Sequence, residues 1–160
     1  MGRIEDLAED SFDSALTAVT SDAWLADSAC TSHVAADKSL FVNFIETPSH
    51  YIKGLSKLPA LGKGSIKLVS SVDDRSIPLH LQDVLYVPEA SHNLISVLKV
   101  TTFGCQVLFS DSSVKFMGPN KEILANGTKI ANLYPMNVKS ASSEEGYMSK
   151  FGSRSWNKWH

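Results

Sequence analysis

Between residues 58 and 138 the chain switches between apolar and polar side chains at nearly every second position, in runs that a turn signal soon ends. A period of two puts successive side chains on opposite faces of a strand. GSIKLVSSVDDRSIPLHLQDVLYVP holds two such runs around Asp73-Asp74-Arg75, and the break reads as a hairpin. Pro78 has no N–H to give a central ladder, so its strand is expected at an edge or with a bulge there. Farther on, CQVLFSDSSVKFMGPNKEILANGTKIANLYPMNV divides into four short strands. The separators are Asp111-Ser112-Ser113, Gly118-Pro119-Asn120 and Asn126-Gly127. The last is a strong hairpin signal, because both central residues of that turn need positive φ. A meander of this kind closes, or nearly closes, on itself. The expected fold is all-β: a small closed or partly open barrel with one or two short helices.

Helical spacing occurs in SHNLISVLKVTTF, where Leu94, Ile95, Val97, Leu98 and Val100 share a side. Ser91 or Asn93 is placed to cap its start, and Gly104 to take the left-handed conformation after its end. A shorter helix is expected over KSLFVNF. The core should include Trp24, Leu25, Ile66, Leu68, Val84, Leu85, Leu94, Val97, Leu98, Val107 and Phe109. At 160 residues the chain reads as one domain, residues 23–138, between two tails. Residues 1–22 are acidic, rich in small residues, and read as a flexible N-terminal linker. Residues 139–160 are rich in Ser, Gly and charge and read as a second linker.

Charge balance narrows the function. Fifteen Lys and Arg against seventeen Asp and Glu leave −2, without the basic footprint of a dedicated nucleic-acid binder. Cys30 and Cys105 are too few for a disulfide scaffold and suit a reducing compartment. No run is long enough for a membrane helix, and MGRIEDLAED is unlike a signal peptide. The expectation is a domain inside the cell, with Asn126-Gly127-Thr128 a turn and not a glycosylation site.

The chemistry-bearing stretch is WLADSACTSHV, residues 24–34. Cys30 and His33 have half of a zinc-site spacing, but His50, His80, His92 and Cys105 supply no matching second pair. They read as a small buried cysteine and a surface histidine, with no metal or cofactor. Ser28, Cys30 and His33 lack any nucleophile-elbow context. Gly62 and Gly64, in LPALGKGSIKL, form a lone G-x-G outside a βαβ unit. They read as a flexible, hairpin-like connection, of a kind that also makes lids. Asp27 is either a turn aspartate bonding its own backbone or an acid–base carboxylate. One carboxylate alone does not run the paired aspartic mechanism.

WLADSACTSHVAADKSLF, LGKGSIKL, LQDVLYVPEASHNLISVLKV and ANLYPMNV, in this order over residues 23–138, resemble the protease region of copia-type LTR-retrotransposon Pol polyproteins. In that family a hydrophobic strand runs into Asp-Ser-Gly-Ala-Ser/Thr-x-His, followed by a G-x-G strand, a D-V-L-Y-V-P strand and an N-L-L-S-V helix. HNLISVLKVTTFGCQVLF is similar, more distantly, to the helix and final strand of retroviral aspartic proteases. The resemblance implies a retropepsin-like barrel in which Asp27 is catalytic and a second copy supplies the other carboxylate of a homodimer. It implies that Ser28 and Ala29 support the active-site loop and that Gly62 and Gly64 belong to a flap-like hairpin. The substrate it implies is the polyprotein itself, with residues 156–160 leading towards an integrase portion, inside a virus-like particle where the element is intact. Ala29 departs from the family's glycine and fits only if its φ stays negative. Activity turns on that residue. The alternative is a non-catalytic barrel, a structural or association module of the same polyprotein.

Overall fold

The computed structural model describes residues 19–51 and 58–141. Its strands are β1 (Trp24–Asp27), β2 (Val34–Ala35), β3 (Phe41–Tyr51), β4 (Pro59–Val72), β5 (Arg75–Tyr86), β6 (Asn93–Ser96), β7 (Gln106–Phe109), β8 (Ser113–Met117), β9 (Ile123–Thr128) and β10 (Val138–Ser140). Among the described residues, one helix, α1 (Val97–Thr102), follows β6, and a single 3-10 turn, Lys38–Leu40, precedes β3. The main sheet runs β1-β6-β2-β5-β4-β10, with β3 also on β4, while β7-β8-β9 form a second sheet.

The expected β4–β5 hairpin is present, with Val72 opposite Arg75. Its two turn residues, Asp73 and Asp74, have φ of 47° and 65°, as a primed turn requires to match the strand twist. The alternation is realised: Ile66, Leu68, Val72, Ile77, Leu79, Leu81 and Val84 are buried in one cluster. Each such side chain contributes roughly 1.5–3 kcal/mol when fully buried. Pro78 faces Val69 of β4, and β2 reaches β5 only at Leu85 and Tyr86, so β5 is locally an edge where the proline sits.

Closure comes from the last described residues. Met136 N–H donates to Trp24 O at 2.8 Å, and Ala26 N–H to Tyr134 O at 3.0 Å. The chain then passes to β4, where β10 pairs Val138 with Ser70. One strand-like segment thus bridges the two ends of the sheet, and the barrel is nearly closed. The all-β expectation holds.

Several local expectations do not. SHNLISVLKVTTF is helical only over α1, because Asn93–Ser96 pairs with β1 and β2 instead. All four of those residues are buried, and a short apolar run buried on both sides looks alike in a strand and a helix. Ser96, not Ser91 or Asn93, caps the helix by accepting from Lys99 N–H at 3.2 Å. Gly104 does take a left-handed φ, 92°. KSLFVNF forms the 3-10 turn and the start of β3.

Asn126-Gly127 is not a turn but part of β9, opposite Lys115 and Val114. A Cβ at position 127 would stand 2.4 Å from Pro135 O, so the glycine serves close passage of the barrel-closing segment. The turn lies at Ala131-Asn132, where Ile130 and Leu133 exchange both backbone hydrogen bonds. Three strands therefore replace the expected four. Of the expected core, Trp24, Leu25, Ile66, Leu68, Val84 and Leu94 are buried, and Leu85, Val97 and Val107 pack partly against them. Leu98 and Phe109 are exposed, since the shortened helix turns Leu98 outward. Ordered packing also outruns residues 23–138: Val19 is buried, and Lys139 and Ser140 belong to β10. Residues 1–18 and 142–160, expected as linkers, lie outside the described residues.

Candidate active site

β1 carries three buried residues and then a carboxylate because of where it sits. Trp24 and Ala26 join the barrel core, and Leu25 joins a second cluster with Cys30, Val34, Ala60, Val87 and Leu94. Asp27 is the last residue of the strand and pairs in parallel with Ser96, the last of β6. It is half-buried, at the point where both strands leave the sheet.

The 28–33 loop folds back over that end. Ala29 N–H donates to Asp27 Oδ1 at 2.8 Å, an Asx-type bond that holds one carboxylate oxygen. Ser96 Oγ donates to the Cys30 carbonyl at 2.7 Å, and Ser96 N–H donates to His33 Nδ1 at 2.9 Å. His33 O accepts from Leu85 N–H at 2.9 Å, which ties the loop's end to β5. The turn role and a chemical role of Asp27 are therefore compatible.

His33, expected on the surface, is buried. Burial, and then the Lys99 charge, pushes its pKa down to about 4. A neutral ring that accepts at Nδ1 carries its proton on Nε2. The Cys30 thiol is pushed up to about 12, first by burial and then by the charge and hydrogen bond of Asp27. A thiol so placed stays protonated at neutral pH and is a poor nucleophile. Among the described residues, no three His, Cys, Asp or Glu side chains are grouped to hold a metal ion.

Ser28 and Ala29 are exposed on the loop beside Asp27. Among the described residues, the non-glycine positions with positive φ are Asp73, Asp74, Asp83, Lys121 and Ala131. Ala29 is not among them, so its methyl group meets no left-handed backbone there. The loop accepts alanine without that strain.

Gly62 and Gly64 belong to the β3–β4 hairpin but lie inside β4, not in a connection, opposite Glu46 and Phe44. Of the residues between the two strands, 52–57 lie outside the described residues. A Cβ on Gly62 would fall 2.2 Å from Phe44 Cζ, and one on Gly64 2.0 Å from Asn43 O. The glycines let β3 and its rings lie close over β4. Phe41, Phe44 and Tyr86 meet edge-to-face with centroids 5.3–6.2 Å apart, and Lys38 Nζ sits 4.8 Å from the Phe44 centroid. A shallow pocket of about 370 Å³ opens beside them, lined by Lys38, Phe44, Glu46, Thr47, Leu61 and Tyr86. A larger groove of about 650 Å³ lies between residues 20–23 and β10, and Asp27 takes no part in it.

Sequence reasoning missed Ser96, which was hidden inside the expected helix. Its signal was a cap: a serine three residues before Lys99, at the start of a helix shorter than its apolar pattern.

Known proteins match the sequence that forms this barrel. The family model described as Pol polyprotein, beta-barrel domain, matches residues 24–105, just over half of the chain. The transposon Ty5-1 protein of Saccharomyces cerevisiae is 33% identical over 86 residues, covering 52% of this chain and 53% of its own length. The retrovirus-related Pol polyprotein from transposon RE1 of Arabidopsis thaliana is 29% identical over 147 residues, 88% of this chain and 10% of that protein. The chain thus spans about half of the first relative and a tenth of the second. No solved structure matches it significantly. The chain belongs to the family of retrotransposon Pol polyprotein β-barrel domains, in agreement with the copia-type resemblance carried by its motifs.

Proposed function

We propose that this barrel is an aspartic endopeptidase of a copia-type Pol polyprotein, acting on that polyprotein inside the cell as a homodimer. The observation that carries the reading is the placement of Asp27: half-exposed, at the shared end of two parallel strands, on a loop fastened from behind by Ser96. Each chain brings one such carboxylate, and a two-fold axis beside it brings the second. The paired mechanism uses one of the two carboxyls ionised and the other protonated. The ionised Asp27 takes a proton from water as its oxygen adds to the scissile carbon, and the protonated one gives its proton to the carbonyl oxygen. The tetrahedral diol then collapses: the first carboxyl protonates the amide nitrogen, the C–N bond breaks to release the amine, and the second carboxylate takes a proton from a diol hydroxyl, which restores the pair. The β3–β4 hairpin, with its aromatic pocket, then covers the bound peptide. Neither metal nor cofactor takes part in these steps.

Ala29, though unstrained, sets an exposed methyl group beside Asp27 where the family has glycine, and a methyl that crowds the scissile peptide favours a second reading, a barrel that associates within the polyprotein without cutting it. Self-processing of a longer polyprotein separates the two. Asp27→Asn keeps an oxygen to accept from Ala29 N–H, so the domain should stay folded while cleavage stops. Cleavage that persists in Asp27→Asn, or an unmutated protein that associates but never cuts, rejects the protease reading.

A further inference from the structure

Ser96 is a single residue with three bonds and a place opposite Asp27. Its hydroxyl donates to Cys30 O at 2.7 Å and accepts from Lys99 N–H at 3.2 Å, while its own N–H donates to His33 Nδ1 at 2.9 Å. Ser96 is wholly buried and His33 nearly so. The two bonds to the loop land on residues 30 and 33, three positions apart, and His33 O is held in turn by Leu85 of β5. A loop pinned at two points to a strand end has little freedom left at the short segment that carries Asp27 and Ala29.

We propose that Ser96 and His33 are positioning residues: as a two-point clamp they fix the 27–33 loop and thereby the orientation of the Asp27 carboxylate. Neither touches substrate. The inference rests on Asp27 as the working carboxylate and adds what holds it in register. The geometry explains why a buried ring is useful here. A neutral imidazole can accept a backbone N–H and donate nothing to that side, which a lysine or arginine cannot do. A rigid supporting layer is what preorganises a catalytic group, and misplacement by about 1 Å costs on the order of a hundredfold in rate.

The test has one arm that needs no activity. Ala29 N–H reports the clamp, because it is bonded to Asp27 Oδ1. In Ser96→Ala and His33→Leu its amide resonance should move away from the unmutated position and exchange faster, while β4 and β5 amides stay in place. Ser96→Thr keeps the hydroxyl, and His33→Asn offers an amide oxygen as acceptor in place of Nδ1, so both should restore it. In the unmutated protein, ring ¹⁵N shifts should show His33 with Nδ1 bare and Nε2 protonated. That measurement decides the point even where a variant fails to fold. An unmoved Ala29 amide in folded Ser96→Ala, or His33 protonated at Nδ1, overturns the clamp. In the second arm, on peptide cleavage, Ser96→Ala should lower kcat at least tenfold with KM little changed, and Ser96→Thr should recover it. An equal change in KM alone overturns the positioning role. Absence of cleavage by the unmutated protein overturns the protease reading instead, and the first arm still decides the clamp.

Discussion

His33 links the loop to pH. Its ordinary value near 6.5 falls to about 4 in the fold, chiefly because a charged ring is costly where water is excluded. Above pH 6.5 the ring is neutral in both folded and unfolded chains, and the full stability is present. As the pH falls below 6.5, the unfolded chain binds a proton that the folded one refuses, and stability is lost until about pH 4. The loss is on the order of 3 kcal/mol at its end. Urea midpoints between pH 7 and pH 4 should therefore drop for the unmutated protein and drop less for His33→Asn. Parallel curves would show that His33 is not the group responsible. This role was not legible in the sequence. Its spacing to Cys30 raises only the question of metal, and its burial depends on Leu85 of β5 and on β6, which lie more than fifty positions away.

Among the elements, β6 and α1 show how tertiary pairing overrides a local pattern. Leu94 faces Leu25 and Val34 across both neighbouring strands and is buried, whereas Leu98 stands 52% exposed on α1. Leu94→Ala should cost about 2–5 kcal/mol, and Leu98→Ala less than about 0.5 kcal/mol. Equal losses would mean that the helix begins earlier and packs as its sequence spacing implies. The β4–β5 hairpin is the opposite case, read correctly because its turn chemistry is local. Asp74 has φ of 65°, which glycine adopts without a Cβ clash. Asp74→Gly should be neutral or stabilise by about 0.5–1 kcal/mol, since the primed turn favours glycine there. A loss of midpoint in thermal melting would contradict the turn geometry. Asn126-Gly127 carries an equally strong signal and is no turn, because the same glycine lets Pro135 pass at close range.

For the whole molecule, the barrel and its near closure were legible, and the segment that closes it was not. Alternation in β4, β5 and β8 shows that sheets must form, but nothing local says that residues 134–140 join β1 to β4. The loop after β1 stood out in the sequence through Asp27 and its motif, while its fastening by Ser96 required the paired strands. The central claim, that two copies of Asp27 form one site, is a claim about assembly. Mixing tests it most directly. Unmutated protein and Asp27→Asn, refolded together in equal amounts, form mixed dimers in which one of the two carboxylates is missing. If both are needed, cleavage falls to about a quarter of that of the same total amount of unmutated protein, because only dimers with two Asp27 work. Cleavage at about half would mean that each chain works alone, and the shared site would be wrong.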